Sequence, residues 1–205
     1  PHYNKNTHQG VLRHLLVRRA VSTGELLVAL VTSSQQDISE YVSEVSEKLN
    51  GLKYNGKLTG FIHIINDGLG DVVKSDKMHI ISGKDWFTEK ILGLQFKISP
   101  FSFWQVNRAQ AEKLYGKAKE YANLQNDEIL LDLYCGTGTI GLTMAENCKT
   151  LVGAEIIEDA IKNANENAKA NGIENARFIC ADASKAAAQL KAEGLQPDVV
   201  VLDPP

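Results

Sequence analysis

Four carboxylates in the second half of the chain stand where short apolar runs end: Asp132, Glu155, Asp182 and Asp203. The first opens the segment DLYCGTGTIG, in which Gly136, Gly138 and Gly141 form GxGxxG between an expected strand and an expected helix. Glycines at this spacing let a backbone approach a ligand closely, and a helix start offers unpaired N–H groups, so the loop suits a nucleotide-like molecule. A dinucleotide-binding enzyme and a tight structural turn share the pattern. The carboxylates separate these readings.

Asp132 lies four residues before Gly136, inside the strand. A carboxylate there can receive an ammonium group, whereas a dinucleotide pyrophosphate has little use for a negative neighbour. Glu155 ends the next apolar run and can accept hydrogen bonds from both hydroxyls of a ribose, as nicotinamide enzymes also do. Asp182, in CADA, ends the third and can accept the exocyclic amine of an adenine. Asp203 ends the fourth and precedes Pro204 and Pro205. Ammonium, ribose and adenine together describe S-adenosylmethionine. Open α/β sheets bind ligands at the carboxyl ends of their strands, so four acids at four successive strand ends mark one crevice.

The elements that must position them alternate regularly. Asn107 is expected to cap a helix over 108–124, with Ala111, Leu114, Ala118, Tyr121 and Ala122 as its apolar face. Strands are expected at 129–134, 150–155, 177–181 and 198–202, with helices at 140–147, 158–170 and 183–193. Asn171-Gly172 is a normal helix stop. This alternation predicts a parallel sheet covered on both faces. Residues 1–106 read differently. Strands at 13–20 and 25–32 flank a turn at Ser22-Thr23-Gly24, Asp37 and Glu40 suggest a capping box for a helix over 37–49, and further strands fall at 61–65 and 92–98. The expected organisation is a smaller α+β domain over 1–106 and an α/β domain over 107–205, with the boundary near 99–107.

A chain of 205 residues with 43% hydrophobic content can bury one core or two modest ones. Its apolar runs fall short of the roughly 18 residues of a membrane span. The opening PHYNKNTHQG lacks the basic-then-apolar build of a secretion signal, and a cytoplasmic location is expected. Cys135, Cys148 and Cys180 are too few and too far apart for a disulfide framework or a CxxC metal site, and read as buried free thiols. The net charge of -3 is unevenly spread: Lys and Arg number 12 against 10 acids in residues 1–107 and 10 against 15 in 108–205. That balance permits an RNA partner on the first half.

SPFSFWQVNRAQAEKLY (residues 99–115), followed by LLDLYCGTGTIGL (130–142), resembles the RNA uracil-5 methyltransferase family, which methylates carbon 5 of particular uridines in ribosomal or transfer RNA. GVLRHLLVRRA and GELLVALVT are similar to the family's central domain, and SGKDWFTEKILGLQFKISP to its link with the catalytic domain. The resemblance covers essentially the whole chain. It implies a Rossmann-like methyltransferase domain with an incomplete parallel sheet, S-adenosyl-L-methionine as cofactor and RNA as partner. The 23S ribosomal type is placed ahead of transfer RNA, with no membrane or DNA partner.

It also implies residue roles. Gln105 would contact the cofactor and help place the target base. Tyr134, Gly136, Gly138 and Thr139 would line the cofactor with Asp132, Glu155 would hold the ribose, Asp182 would lie beside the adenine, and Asp203 would sit where cofactor and flipped uracil meet. Many relatives have asparagine at Thr139 and some at Asp182. Phe101, Phe103 and Trp104 could pack or stack on bases, and Phe103 is taken as a substrate contact. Arg13, Arg18 and Arg19 are candidate phosphate contacts.

The family's chemistry needs a cysteine thiolate that adds to carbon 6 of the uracil and a base that removes the carbon-5 proton. Both lie beyond the Asp-Pro-Pro segment in the family, and none of Cys135, Cys148 and Cys180 is in place for the role. The chain is therefore expected to be a fragment that holds cofactor without turnover. Three alternatives stay open: an amino-group methyltransferase acting through Asp203-Pro204-Pro205, a nicotinamide-dependent oxidoreductase, and a non-catalytic RNA-binding module.

Overall fold

The computed structural model describes residues 1–70 and 76–204, so Pro205 of the Asp-Pro-Pro segment lies outside the described residues. The chain divides into two compact units, Pro1–Glu89 with Ser99–Phe101, and Lys90–Ile98 with Ser102–Pro205.

In the first unit, strands β1 (Leu12–Arg19) and β2 (Glu25–Thr32) form the expected antiparallel hairpin, with Leu16 opposite Ala29. Helix α1 (Ser39–Gly51) then carries the chain across to β3 (Lys57–Ile65), which lies parallel to β2, and β4 (Lys77–Gly83) returns antiparallel to it. The sheet order is β1-β2-β3-β4. Alternation of side chains along the strands gives each face its own apolar set. Val28 and Phe61 pack with Val42 of α1, while Ala29, Val31, Ile62 and Ile64 cluster on the opposite face with Leu16.

Two expectations are corrected here. Helix α1 begins at Ser39, and its N-cap position, Ile38, makes no side-chain cap. Asp37 instead accepts from the Ser39 amide at 2.9 Å and the Ser39 hydroxyl at 2.5 Å, a local turn that competes with capping. Arg13 and Arg18 are not free for phosphates. Arg13 donates to the carbonyls of Asn66, Gly68 and Gly70 at 2.7–3.0 Å and stacks on Tyr3, and Arg18 donates to the carbonyls of Ser99 and Pro100. Guanidinium forks satisfy loop carbonyls as readily as phosphates. Arg19 is exposed.

Strands β5 (Phe87–Ile91) and β6 (Leu94–Ile98) form a two-stranded ribbon, within which the division between the units falls. Helix α2 (Arg108–Ala122) follows, capped by Asn107, whose side chain accepts from the Gln110 amide at 3.2 Å. Its buried residues are Ala111 and Tyr115, whereas Leu114 and Tyr121 are exposed. The face defined by 111, 115, 118 and 122 is a true helical stripe, and positions 114 and 121 fall beside it.

The remainder is a parallel sheet of order β10-β7-β8-β9. Its strands are β7 (Ile129–Leu133), β8 (Thr150–Glu155), β9 (Ala176–Cys180) and β10 (Val199–Leu202). The connections are α3 (Thr139–Met144) with a 3₁₀ turn (Ala145–Asn147), α4 (Glu158–Ala170) and α5 (Ala183–Ala192). The connections from β7 to β8 to β9 advance in one direction, and the return to β10 reverses it. Helix α5 accordingly packs through Leu190 on Leu131 and Val152, on one face of the sheet. The reversal lies between β7 and β10, where an open α/β sheet leaves its ligand crevice.

Candidate functional site

The sheet order places the four carboxylates in the spatial sequence Asp203, Asp132, Glu155, Asp182 at the carboxyl ends of β10, β7, β8 and β9. Asp132 pairs with Val201 on one side and Gly153 on the other, so it stands beside the reversal.

Beyond β7 the chain turns sharply. Tyr134 adopts φ 62° and Gly138 φ 79°. A left-handed tyrosine costs on the order of 1 kcal/mol and such residues gather at functional turns. Tyr134 is partly exposed. Gly138 needs glycine twice over, because its φ is left-handed and a β-carbon would stand 3.0 Å from Phe178 Cζ. The turn closes with the Gly138 amide on the Cys135 carbonyl at 2.8 Å. Thr139 opens α3, buried, with its hydroxyl 3.1 Å from that of Thr137.

Asp132 is 1% exposed. Its Oδ2 accepts from the Gly141 amide at 2.8 Å, and its Oδ1 is buried with no hydrogen-bond partner. Burial pushes its pKa from 3.8 up to about 7, opposed by the Gly141 bond and assisted by Asp203. A half-bonded buried carboxylate is costly unless a cation meets it. Asp132 Oδ1 is therefore an acceptor suited to an ammonium group.

Glu155 is engaged by its own surroundings. Its Oε2 accepts from the Gly136 amide at 3.2 Å and Oε1 from the Ile156 and Ile157 amides at 2.8 and 3.0 Å. The carboxylate is thereby fixed at the mouth of the glycine turn. Asp182 caps α5, with Oδ1 accepting from the amides of Ser184 and Lys185, each at 3.0 Å. The Ser184 hydroxyl and the Lys185 amide hold its pKa down to about 2. Asp203 is exposed.

Phe103 is 73% exposed and Gln105 half-buried, both in the segment between β6 and α2. Gln105 shares a shallow cleft with Asn107, Gln110 and Leu114. Trp104 packs on Phe96, with ring centroids 5.7 Å apart, so of the three aromatic candidates it is the packing residue.

Sequence reasoning missed two contributors. Tyr115 is buried on α2, and burial first, then Asp203 and Asp132, raises its pKa to about 12, so its phenol is neutral beside the acid pair. Only its place in the NRAQAEKLY block hinted at it. Asn167 is fully buried and donates to the Thr137 carbonyl, within the glycine turn, at 3.1 Å. The available signal was its place on the apolar face of α4 that Ile161, Ala164 and Ala168 mark at helical spacing.

Burial pushes up the thiols of both Cys135 and Cys148, which disfavours the thiolate in each. Cys180, expected to be buried, is exposed because it ends an edge strand. Among the described residues no three His, Cys, Asp or Glu side chains gather as a metal site, and no helix is long and apolar enough to cross a membrane.

Residues 124–204 match a family model described as a methyltransferase domain. A Clostridium tetani protein described as an uncharacterized RNA methyltransferase is 44% identical over 205 residues, covering 100% of this chain and 44% of the relative. A Clostridium acetobutylicum protein of the same description is 45% identical, again over 100% of this chain and 44% of its own length. The chain thus spans under half the length of the curated relatives it matches. Among solved structures, Pyrococcus abyssi tRNA (uracil-54, C5)-methyltransferase in complex with S-adenosyl-L-homocysteine is similar with a TM-score of 0.72 and 26% identity, over 98% of this chain and 45% of that one. The parallel sheet of the second unit is a Rossmann-like methyltransferase fold.

Proposed function

We propose that the chain provides the methyl-donor site of an S-adenosylmethionine-dependent enzyme that methylates carbon 5 of a uridine in RNA. The observation that carries the donor half is Asp132, buried at the sheet's reversal point with Oδ1 unpartnered. S-adenosylmethionine bound there supplies a methyl group activated by its sulfonium. Asp132 receives the ammonium of the methionine moiety, Glu155 faces the ribose, and Asp182 lies beside the adenine with the oxygen not used for capping. Gly136 and Gly138, with Tyr134 and Thr139, shape the turn along which the cofactor lies. A nicotinamide dinucleotide would bring its pyrophosphate to the same turn, against the charge of Asp132.

The acceptor half rests on the 102–107 block and on the likeness to a uracil-5 enzyme. Phe103 offers an exposed ring for stacking a flipped base, Gln105 an amide to pair with it, and Asp203 a carboxylate between base and donor. Ribosomal RNA of the 23S type is the substrate to be tried first, with transfer RNA second.

Calorimetry of the chain with S-adenosylhomocysteine and with NADH tests the donor half. Binding of S-adenosylhomocysteine alone is expected, and binding of NADH alone would overturn it. For the acceptor, the longer protein is incubated with labelled donor and unmodified 23S RNA or transfer RNA. Label in 5-methyluridine is expected; label on an exocyclic amine would instead favour an amino-group enzyme.

A further inference from the structure

Asn163, Asn167 and Asn171 recur every four residues, so their side chains share one face of α4 and its C-cap. Two of them bond the backbone of β6. The Lys97 amide donates to Asn167 Oδ1 at 2.7 Å, the Gln95 amide donates to Asn171 Oδ1 at 2.8 Å, and Asn171 Nδ2 returns a bond to the Gln95 carbonyl at 2.6 Å. Four residues of helix rise about 6.0 Å and two residues of strand about 6.6 Å. An amide at every fourth helical position therefore meets every second residue of a strand, here running the opposite way.

Beyond the end of β6 at Ile98, Asn163 Nδ2 donates to the Ser102 hydroxyl at 3.2 Å, at the start of the block that carries Phe103 and Gln105. Asn167 differs from its neighbours in reaching the glycine turn. Its Nδ2 also donates to the Thr137 carbonyl at 3.1 Å, inside the glycine turn. Attaching α4 to β6 does not require that bond, since Asn171 alone makes two to the strand.

We propose that Asn167 is a positioning residue for the donor turn, and that the asparagine row joins this turn to the segment at 102–105. On the methyl-donor reading, on which this rests, the row holds the donor and the base-contacting side chains at a fixed separation. Occupancy of the turn is then felt at Ser102 through Asn167, α4 and Asn163.

Hydrogen exchange of the full chain tests this, with and without S-adenosylhomocysteine, in wild type, Asn171→Ala, Asn163→Ala and Asn167→Asp. The aspartate keeps the acceptor for the Lys97 amide and removes the donor to Thr137, together with the longer contact to the Lys97 carbonyl at 3.5 Å. Without ligand, Asn167→Asp is expected to exchange amides at 135–139 about tenfold faster than wild type, the factor that one lost buried hydrogen bond gives. Asn171→Ala is expected to leave that turn at the wild-type rate. Equal rates at 135–139 in these two variants would overturn the positioning role. With ligand, wild type is expected to gain protection at both 135–139 and 102–107, and Asn163→Ala only at 135–139. Protection at 102–107 that survives in Asn163→Ala would overturn the link, and this arm stands even where Asn167→Asp fails to fold. A wild-type chain that binds no S-adenosylhomocysteine would defeat the donor reading, while the ligand-free comparison still decides the role of Asn167.

Discussion

The amide of Gly141 donates to Asp132 Oδ2 at 2.8 Å, and the same oxygen lies 2.8 Å from where a β-carbon on Gly141 would stand. Leu151 Cδ1 lies 2.7 Å from that point on another side. Glycine here is a matter of space, since α3 imposes no unusual backbone at the position. Gly141→Ala must push α3 away from β7, and overpacking of this kind costs about 1–3 kcal/mol. The melting temperature is expected to fall by several degrees and S-adenosylhomocysteine binding to weaken, because the displaced helix carries the glycine turn. An alanine variant with wild-type melting would show that the close approach is not binding on the fold.

The pH dependence of Asp132 has a definite sign. Its carboxyl titrates near 3.8 when unfolded and near 7 in the folded chain, because burial disfavours the charge. Between those values the folded chain holds a proton that the unfolded chain has released, so this group's contribution to stability falls as pH rises from about 4 to about 7 and is level above. At roughly 1.4 kcal/mol per unit, the full effect is on the order of a few kcal/mol. Asp132→Asn removes the ionisation. The variant is expected to melt above wild type at pH 8, with the gap closing toward pH 4, and to lose ammonium recognition, weakening S-adenosylhomocysteine by at least about tenfold. Wild-type affinity should rise between pH 6 and 8 as the carboxylate form becomes populated. Melts across pH 4–8, paired with calorimetry, check both, and a gap that does not vary with pH would refute the assignment.

How legible this was depended on distance along the chain. Strand β8 and helix α4 have the bounds read from sequence, Thr150–Glu155 and Glu158–Ala170, because apolar runs and the Asn171-Gly172 stop are local signals. Strand β4 went unread, since KMHIISG is a largely exposed edge without clean alternation. The strand-end carboxylates were legible for the same local reason, but their partners were not. Nothing near Asp132 in sequence indicates that one oxygen meets Gly141 and the other meets nothing. Arg13 and Arg18 were misread because the carbonyls they satisfy lie more than 50 residues away. Tyr115 was passed over for Leu114, a neighbour that points about 100° away around the helix.

Asp182 serves α5 before it serves any ligand. Its cap oxygen is held by two backbone amides, and the depressed pKa of about 2 reflects them together with the Ser184 hydroxyl. A carboxyl whose folded pKa lies below its unfolded value stabilises the fold above about pH 4, and that contribution is lost as pH falls through about 2. Asp182→Asn retains a capping oxygen and is expected to melt close to wild type at neutral pH. Asp182→Ala lacks one and should melt lower, with its deficit shrinking as pH approaches 2. Equal melts for the two variants at pH 7 would mean the cap contributes nothing.

Phe178 pairs with Gly153 across β8 and β9 and its ring also reaches Gly138, so two glycines depend on one ring. A β-carbon at Gly153 would overlap Phe178 Cδ1 and stand 2.9 Å from Cys135 Sγ, and one at Gly138 would meet Phe178 Cζ at 3.0 Å. The ring therefore sets the height of the turn above β8. Gly153→Ala is expected to cost about 1–3 kcal/mol by overpacking, and Phe178→Leu to cost a comparable amount through lost contacts. Because the alanine methyl enters space that the ring vacates, the double variant should be more stable than the sum of the two losses predicts, with a coupling of about 0.5–3 kcal/mol. Urea melts of the four chains measure that coupling directly. Strict additivity would mean that the turn rests on something other than Phe178.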